Sequence, residues 1–160
     1  MSYSKKHLLE TKEIVERLDA SQIEDLVIAI KQIKINKGRL FFLGVGGSAG
    51  NCSHAVNDFR KIIGIESYAP TDNVSELTAR TNDEGWDTIF IEWLKTSQLN
   101  KKDAIFIFSV GGGSVEKNIS TNLVSAINYA KDTKSKIFSI IGKNDGYAAN
   151  NSHNCIVVPE

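Results

Sequence analysis

Proline and cysteine are scarce in this chain of 160 residues, with two of each. The cysteines, Cys52 and Cys155, stand far apart and form no C-x-x-C spacing, so neither a disulfide framework nor a cysteine zinc site is expected. A reducing cytoplasm is the natural setting for such thiols. No apolar run approaches the roughly 20 residues that span a bilayer, and the polar stretch 1–10 does not read as a secretory leader. Neither sign of charge is in excess: 19 Lys and Arg face 19 Asp and Glu, which argues against a general binder of nucleic acid or membrane surfaces. Low-complexity tracts, a repeat of fixed period and a linker rich in Pro, Gly or Ser are all missing. The chain is nevertheless 41% hydrophobic and long enough to bury one core without staples. A single cytoplasmic, soluble domain is expected.

Apolar spacing organises the rest. Leu8, Leu9, Ile14, Val15 and Leu18 among charges predict a helix over 4–18. Asp19 or Ser21 then offers a cap for a second helix, whose apolar face is Ile23, Leu26, Val27, Ile30 and Ile33 and which Gly38 ends. Residues 39–44 (RLFFLG) read as a buried strand that runs into a glycine-rich turn and a helical pattern to Ile63. The same order returns in 104–109 (AIFIFS), the turn 110–114 and a helix over about 115–131, then in 136–141 (KIFSII), a turn with Gly142 and Gly146, and a last strand 155–158. Between the first two units, 64–69 predicts a short strand and 73–95 one or two helices around Trp86 and Trp93. Continuous apolar strands alternating with helices predict a parallel sheet covered on both faces, with right-handed crossovers. The expected fold is a doubly wound, five-stranded α/β sandwich of flavodoxin-like order, with residues 1–36 as leading helices and 37–160 as core.

Two glycine-rich segments carry the chemistry. Gly44-Val45-Gly46-Gly47-Ser48 joins a strand to a helix, where close backbone approach and a helix N-terminus together suit an anion, most commonly a phosphate. An ordinary tight turn is the plainer alternative. The segment matches neither G-x-x-x-x-G-K-[ST] nor G-x-G-x-x-G, so a nucleotide cofactor is not expected. Ser109-Val110-Gly111-Gly112-Gly113-Ser114 repeats the arrangement, with Ser114 placed to cap the following helix. Two such loops at one sheet edge predict a small phosphorylated ligand between them. On the helix after the first loop, Cys52, Val56, Phe59 and Ile63 form a buried stripe, while Asn51, His54 and Asp58 share another face. A histidine and a carboxylate four residues apart can share a proton or a metal ion, or can be a solvated polar face. His7, His153 and Lys143 read as surface residues, and Trp86 and Trp93 as core or subunit interface.

With these residues in view, the chain resembles the sugar-isomerase (SIS) domain family, and within it the phosphoheptose isomerases. The likeness rests on Gly46-Gly47-Ser48 followed by His54 and Asp58, on Thr81-Asn82-Asp83, on the loop 109–114 and on Ile141-Gly142-Lys143. It implies interconversion of sedoheptulose 7-phosphate and D-glycero-D-manno-heptose 7-phosphate in heptose biosynthesis, and a homotetramer with sites between subunits. It also implies that Gly46, Gly47, Ser48, Asn51, Ser109, Gly111, Gly112, Gly113 and Ser114 hold phosphate or sugar, and that Asn82 and Asp83 stand near the sugar. Asp58 falls at the family's catalytic glutamate and His54 at a position that binds zinc in some members, so zinc held by His54 and Asp58 is implied as cofactor.

Several positions depart from the family pattern. Val45 replaces an asparagine, the second loop has lost two hydroxyls to glycine, and Asp58 is one methylene shorter than glutamate. The family's C-terminal helix, with a catalytic His and a Gln metal ligand, is expected to be absent, and His153 does not match that histidine. Two alternative readings follow: a phosphosugar-binding module without turnover, and an isomerase of another sugar phosphate.

Overall fold

The computed structural model describes residues 1–159. Five strands, β1 (Leu40–Leu43), β2 (Ser67–Tyr68), β3 (Ala104–Ser109), β4 (Lys136–Ile141) and β5 (Asn154–Val157), form one all-parallel sheet in the order β2-β1-β3-β4-β5. The expected flavodoxin-like order is therefore the observed one. Strand order reverses between β1 and β3, and the ends of those two neighbours open a crevice in which such folds place ligands.

Alternation along the strands sorts the core into two layers. Phe41, Leu43, Ile105, Ile107, Ile137 and Ile141 face α5 (Ile89–Thr96), α6 (Thr121–Asp132) and α7 (Tyr147–Asn151). Leu40, Phe42, Ala104, Phe106 and Phe138 face α2 (Ala20–Ile35) and α3 (Gly47–Asp58). Register aligns Phe42 with Phe106 and Phe106 with Phe138, giving ring centroids 5.3 and 5.9 Å apart. Each such ring, fully buried, stabilises the fold by about 1.5–3 kcal/mol. Arg39 and Asp103 close the entry to β1 and β3: Arg39 Nη2 lies 2.7 Å from Asp103 Oδ2, and the backbone N–H of Arg39 donates to Oδ1 at 2.9 Å. That carboxylate, through its hydrogen bond first, raises the pKa of Arg39.

The leading helices form, with α1 over Tyr3–Glu16 and Asp19 capping α2 through the N–H of Ser21 at 2.9 Å. No residue of α1 is buried. The span 73–95 becomes α4 (Val74–Asp83) and α5, joined through a 3₁₀ turn at Trp86–Thr88. Trp93 packs against the core, whereas Trp86 is 41% exposed.

Two expectations need correction. The helix expected over 115–131 begins only at Thr121, because Ser114 and Ile119 exchange backbone hydrogen bonds across a tight turn in which Asn118 and Ser120 are left-handed. Asn and Ser bond readily to nearby backbone and favour such turns over helix interiors. Ser114 consequently caps that turn, accepting from Lys117 N–H at 3.2 Å, and not α6. Ile63 is also exposed rather than part of the buried stripe, because α3 widens into a π-helical segment at Phe59–Ile63. A wider turn rotates the last side chain off the face that a regular helix would present.

Among the described residues, no helix is long and apolar enough to cross a membrane.

Candidate functional site

Gly44 brings β1 into α3. A Cβ there would stand 2.8 Å from the backbone of Ser48 and 3.0 Å from Cys52 Sγ, so the tight passage requires glycine. The chain reverses through Val45 and Gly46 and enters the helix at Gly47 with no side-chain cap. Such a start leaves the N-terminal partial positive charge available to an anion. Ser48 is half-buried at this end.

The second loop is built by a third. Ser109 Oγ accepts the N–H of Gly112 at 3.0 Å, and the carbonyls of Val110, Gly112 and Gly113 accept from Gly142, Ala148 and Tyr147. Gly146 sits against Gly111, whose carbonyl a Cβ would meet at 2.2 Å. The turn after β4 thus braces the loop after β3, with the carbonyls of Gly112 and Gly113 engaged by the first residues of α7 and that of Val110 by Gly142.

Ser48, Asn51 and Ser109 converge on one cavity of about 560 Å³ at the C-terminal edge of the sheet. Phe108, Val110, Ile140 and Val158 make its apolar wall. This wall was not read from the sequence: Phe108 and Ile140 look like core strand residues, and only their position at strand ends marks them as half-exposed. Gly113 and Ser114 do not join the cavity; they line a neighbouring one of about 300 Å³ with Tyr147 and Asp145.

His54 and Asp58 continue the face of α3 that begins with Ser48 and Asn51. His54 Nε2 lies 3.2 Å from Asp58 Oδ2, and Asn57 donates to Asp58 Oδ1 at 3.0 Å. Both side chains are open, at 77% and 40% exposure, and neither lines the cavity. Asn82 and Asp83 are placed elsewhere, exposed at the end of α4 and bonded to each other at 2.7 Å. Within one chain they do not meet Ser48 or Ser109 at the cavity.

The donor set for zinc is thin. His54 and Asp58 supply two ligands, and no group of three or more His, Cys, Asp or Glu able to hold a metal occurs among the described residues. Protein zinc takes three or four such ligands. One chain's described residues therefore do not fit a resident zinc ion, and no chemical step is derived through one.

Buried Cys52 stands behind the first loop with its thiol pushed up to about 12, by burial first and then by Asp72. Asp72 in turn accepts a hydrogen bond from Ser53, tying α3 to the turn after β2.

A family model described as the SIS domain matches residues 3–142. A phosphoheptose isomerase from Helicobacter pylori is 28% identical over 169 aligned positions, covering 97% of this chain and 81% of that protein. The solved phosphoheptose isomerase of Neisseria gonorrhoeae superposes with a TM-score of 0.81 at 22% identity, covering 98% of this chain and 83% of its own. That of Francisella tularensis gives 0.82 at 21%, covering 98% and 81%. At those identities the solved structures speak for the fold.

Proposed function

The chain belongs to the SIS-domain family, and on that footing we propose that it is a phosphosugar isomerase interconverting sedoheptulose 7-phosphate and D-glycero-D-manno-heptose 7-phosphate. The observation that carries the reading is the convergence of Ser48, Asn51 and Ser109 on one cavity at the uncapped start of α3. Loop amides and the hydroxyls of Ser48 and Ser109 hold the phosphate. The sugar extends along α3, whose next turns carry His54 and then Asp58, about 10 Å beyond Asn51 at 1.5 Å per residue. A seven-carbon chain reaches further along that face than a six-carbon one.

Aldose–ketose exchange moves a proton between C1 and C2 through an enediolate. The Asp58 carboxylate takes the carbon-bound proton and returns it to the neighbouring carbon. His54, in contact with that carboxylate, orients it and exchanges the hydroxyl proton, so that charge is balanced at each step. Asn82 and Asp83 enter the site from a second copy of the chain, for which the apolar residues left exposed on α1 and α2 provide the contact. We extend the proposal to a cytoplasmic homotetramer.

Purified protein is expected to convert sedoheptulose 7-phosphate to the aldose more efficiently than it isomerises a hexose 6-phosphate. Asp58→Asn is expected to lower kcat about 10²–10⁴-fold while leaving the melting temperature nearly unchanged, since an exposed ion pair contributes roughly 0–1 kcal/mol. No turnover with either sugar, but thermal stabilisation by both, would instead establish a phosphosugar-binding module. The exposure of the His54–Asp58 pair is the observation that favours this second reading.

A further inference from the structure

At the opposite edge of the sheet, where the chain enters β4 and β5, lies a second cavity of about 650 Å³. Lys131 reaches it from the end of α6, Lys134 and Lys136 from the turn into β4, and His153 from just before β5. No Asp or Glu lines it among the described residues. Lys134 and Lys136 make no ion pair there or elsewhere among those residues. Lys131 is oriented by Asn151, whose Oδ1 accepts from its ammonium at 2.5 Å.

His153 is set as a donor. Its Nδ1 accepts the N–H of Ile137 at 3.1 Å, which leaves the ring proton on Nε2. Partial burial, and then the charge of Lys136, keeps its pKa below the ordinary value, so at neutral pH it offers an N–H and not a further positive charge.

The surroundings add to the field. The loop before β3 is bonded to this edge through Ser135 Oγ to the Asn100 carbonyl at 2.9 Å and Lys136 N–H to the Asp103 carbonyl at 3.0 Å. That loop carries Lys101 and Lys102. The carboxylate of Asp103 is already engaged by Arg39. Asp132 stands between Lys131 and Lys134 in sequence but does not line the cavity, so in a chain with zero net charge the ammonium groups that do line it concentrate positive potential in one concavity. A concave site of this size suits a small molecule rather than a nucleic-acid strand.

We propose that this basic cavity is a second ligand site, which takes the oligophosphate group of a small molecule. Three ammonium groups and an imidazole N–H match several adjacent phosphate oxygens, whereas a single phosphate leaves charge unmatched. The site is separate from the glycine-loop cavity, roughly 20 Å away along β4 at 3.3 Å per residue, and does not depend on the isomerase reading. The oligophosphate can be free or part of a nucleotide.

Calorimetric titration at matched ionic strength with tripolyphosphate and with magnesium-free ATP tests the proposal. Both compounds are expected to bind the native protein, and the Lys134→Gln/Lys136→Gln variant to bind about tenfold or more weakly. The Ser48→Ala/Ser109→Ala variant is expected to bind as the native protein does. Tighter binding of ATP identifies a nucleotide ligand, and equal affinities a free oligophosphate. Absence of binding, binding indifferent to the lysine changes, or binding lost with the serines overturns the assignment. Amide chemical shifts of the native protein supply a readout that needs no variant: tripolyphosphate must perturb Lys134, Lys136 and His153. Perturbation confined to Gly46, Gly47 and Gly112 rejects the site.

Discussion

At Gly44 a single hydrogen atom decides whether the first loop can exist. Alanine there would press a methyl group into the Ser48 carbonyl and Cys52 Sγ, neither of which is the free end of a flexible side chain. Gly44→Ala is expected to destabilise the protein by about 1–3 kcal/mol, the usual cost of overpacking, read as a lowered urea midpoint. Because the displaced atoms are the first turn of α3, phosphosugar affinity should fall as well. Cys52 makes a complementary case. It is fully buried with a thiol pushed up to about 12, so it carries almost no thiolate at pH 8. Folded protein treated with a thiol reagent at that pH is expected to label only at half-buried Cys155, and Cys52 to label once the chain is unfolded. Rapid labelling of both thiols would contradict the packing at the loop.

At the scale of elements, the buried strands were the most legible part of the chain. LFFL, AIFIFS and KIFSII are continuous apolar runs because both faces of the sheet are covered, and glycine marks the ends of the first two loops. The segment 114–120 misled for a physical reason. Val115, Glu116 and Lys117 are compatible with a helix, whereas Asn118 and Ser120 favour the turn that the paired bonds of Ser114 and Ile119 close. The π-helical widening after Asp58 carries no sequence signal either, since Phe59, Ile62 and Ile63 continue an apolar pattern. Contacts between elements also set a pH response. His153 receives the Ile137 N–H and so couples β5 to β4. Its folded-state pKa is lowered, so the unfolded chain binds the proton more tightly. Stability is therefore complete above the ordinary value near 6.5 and declines as the pH falls below it. Melting temperature followed from pH 7.5 to pH 5 is expected to drop more for the native protein than for His153→Asn, which has no such proton to take up. Equal slopes would remove His153 as the cause.

At the scale of the whole molecule, the site was legible only in part. Ser48, Asn51 and Ser109 meet in one cavity as their loops suggested, because strand order places the ends of β1 and β3 side by side. Asn82 and Asp83 do not meet them within one chain, because they lie at the end of α4, which follows β2 at the edge of the sheet. The leading helices bear on the same question. Leu8 is 69% exposed and Val15 61%, and against its own chain α1 half-buries only Ile14, which lines the glycine-loop cavity. A helix of 14 residues is marginal in water without packing, so its order requires a cover. On α2, Val27, Ile28 and Ile35 extend the same apolar exposure. The proposed oligomer supplies matching surface from a second copy by symmetry. Light scattering is expected to return a multiple of the monomer mass. Leu8→Glu/Val15→Glu, spaced seven residues apart on one face of α1, is expected to shift that mass toward the monomer and to reduce helical ellipticity. The near-ultraviolet signal of the aromatic core should persist, since Phe42, Phe106 and Phe138 lie in the sheet and not under α1. Turnover by the variant then discriminates. If Asn82 and Asp83 act from a neighbouring copy, dissociation must lower isomerase activity in proportion to the monomer formed, and an active monomer would place the whole site within one chain.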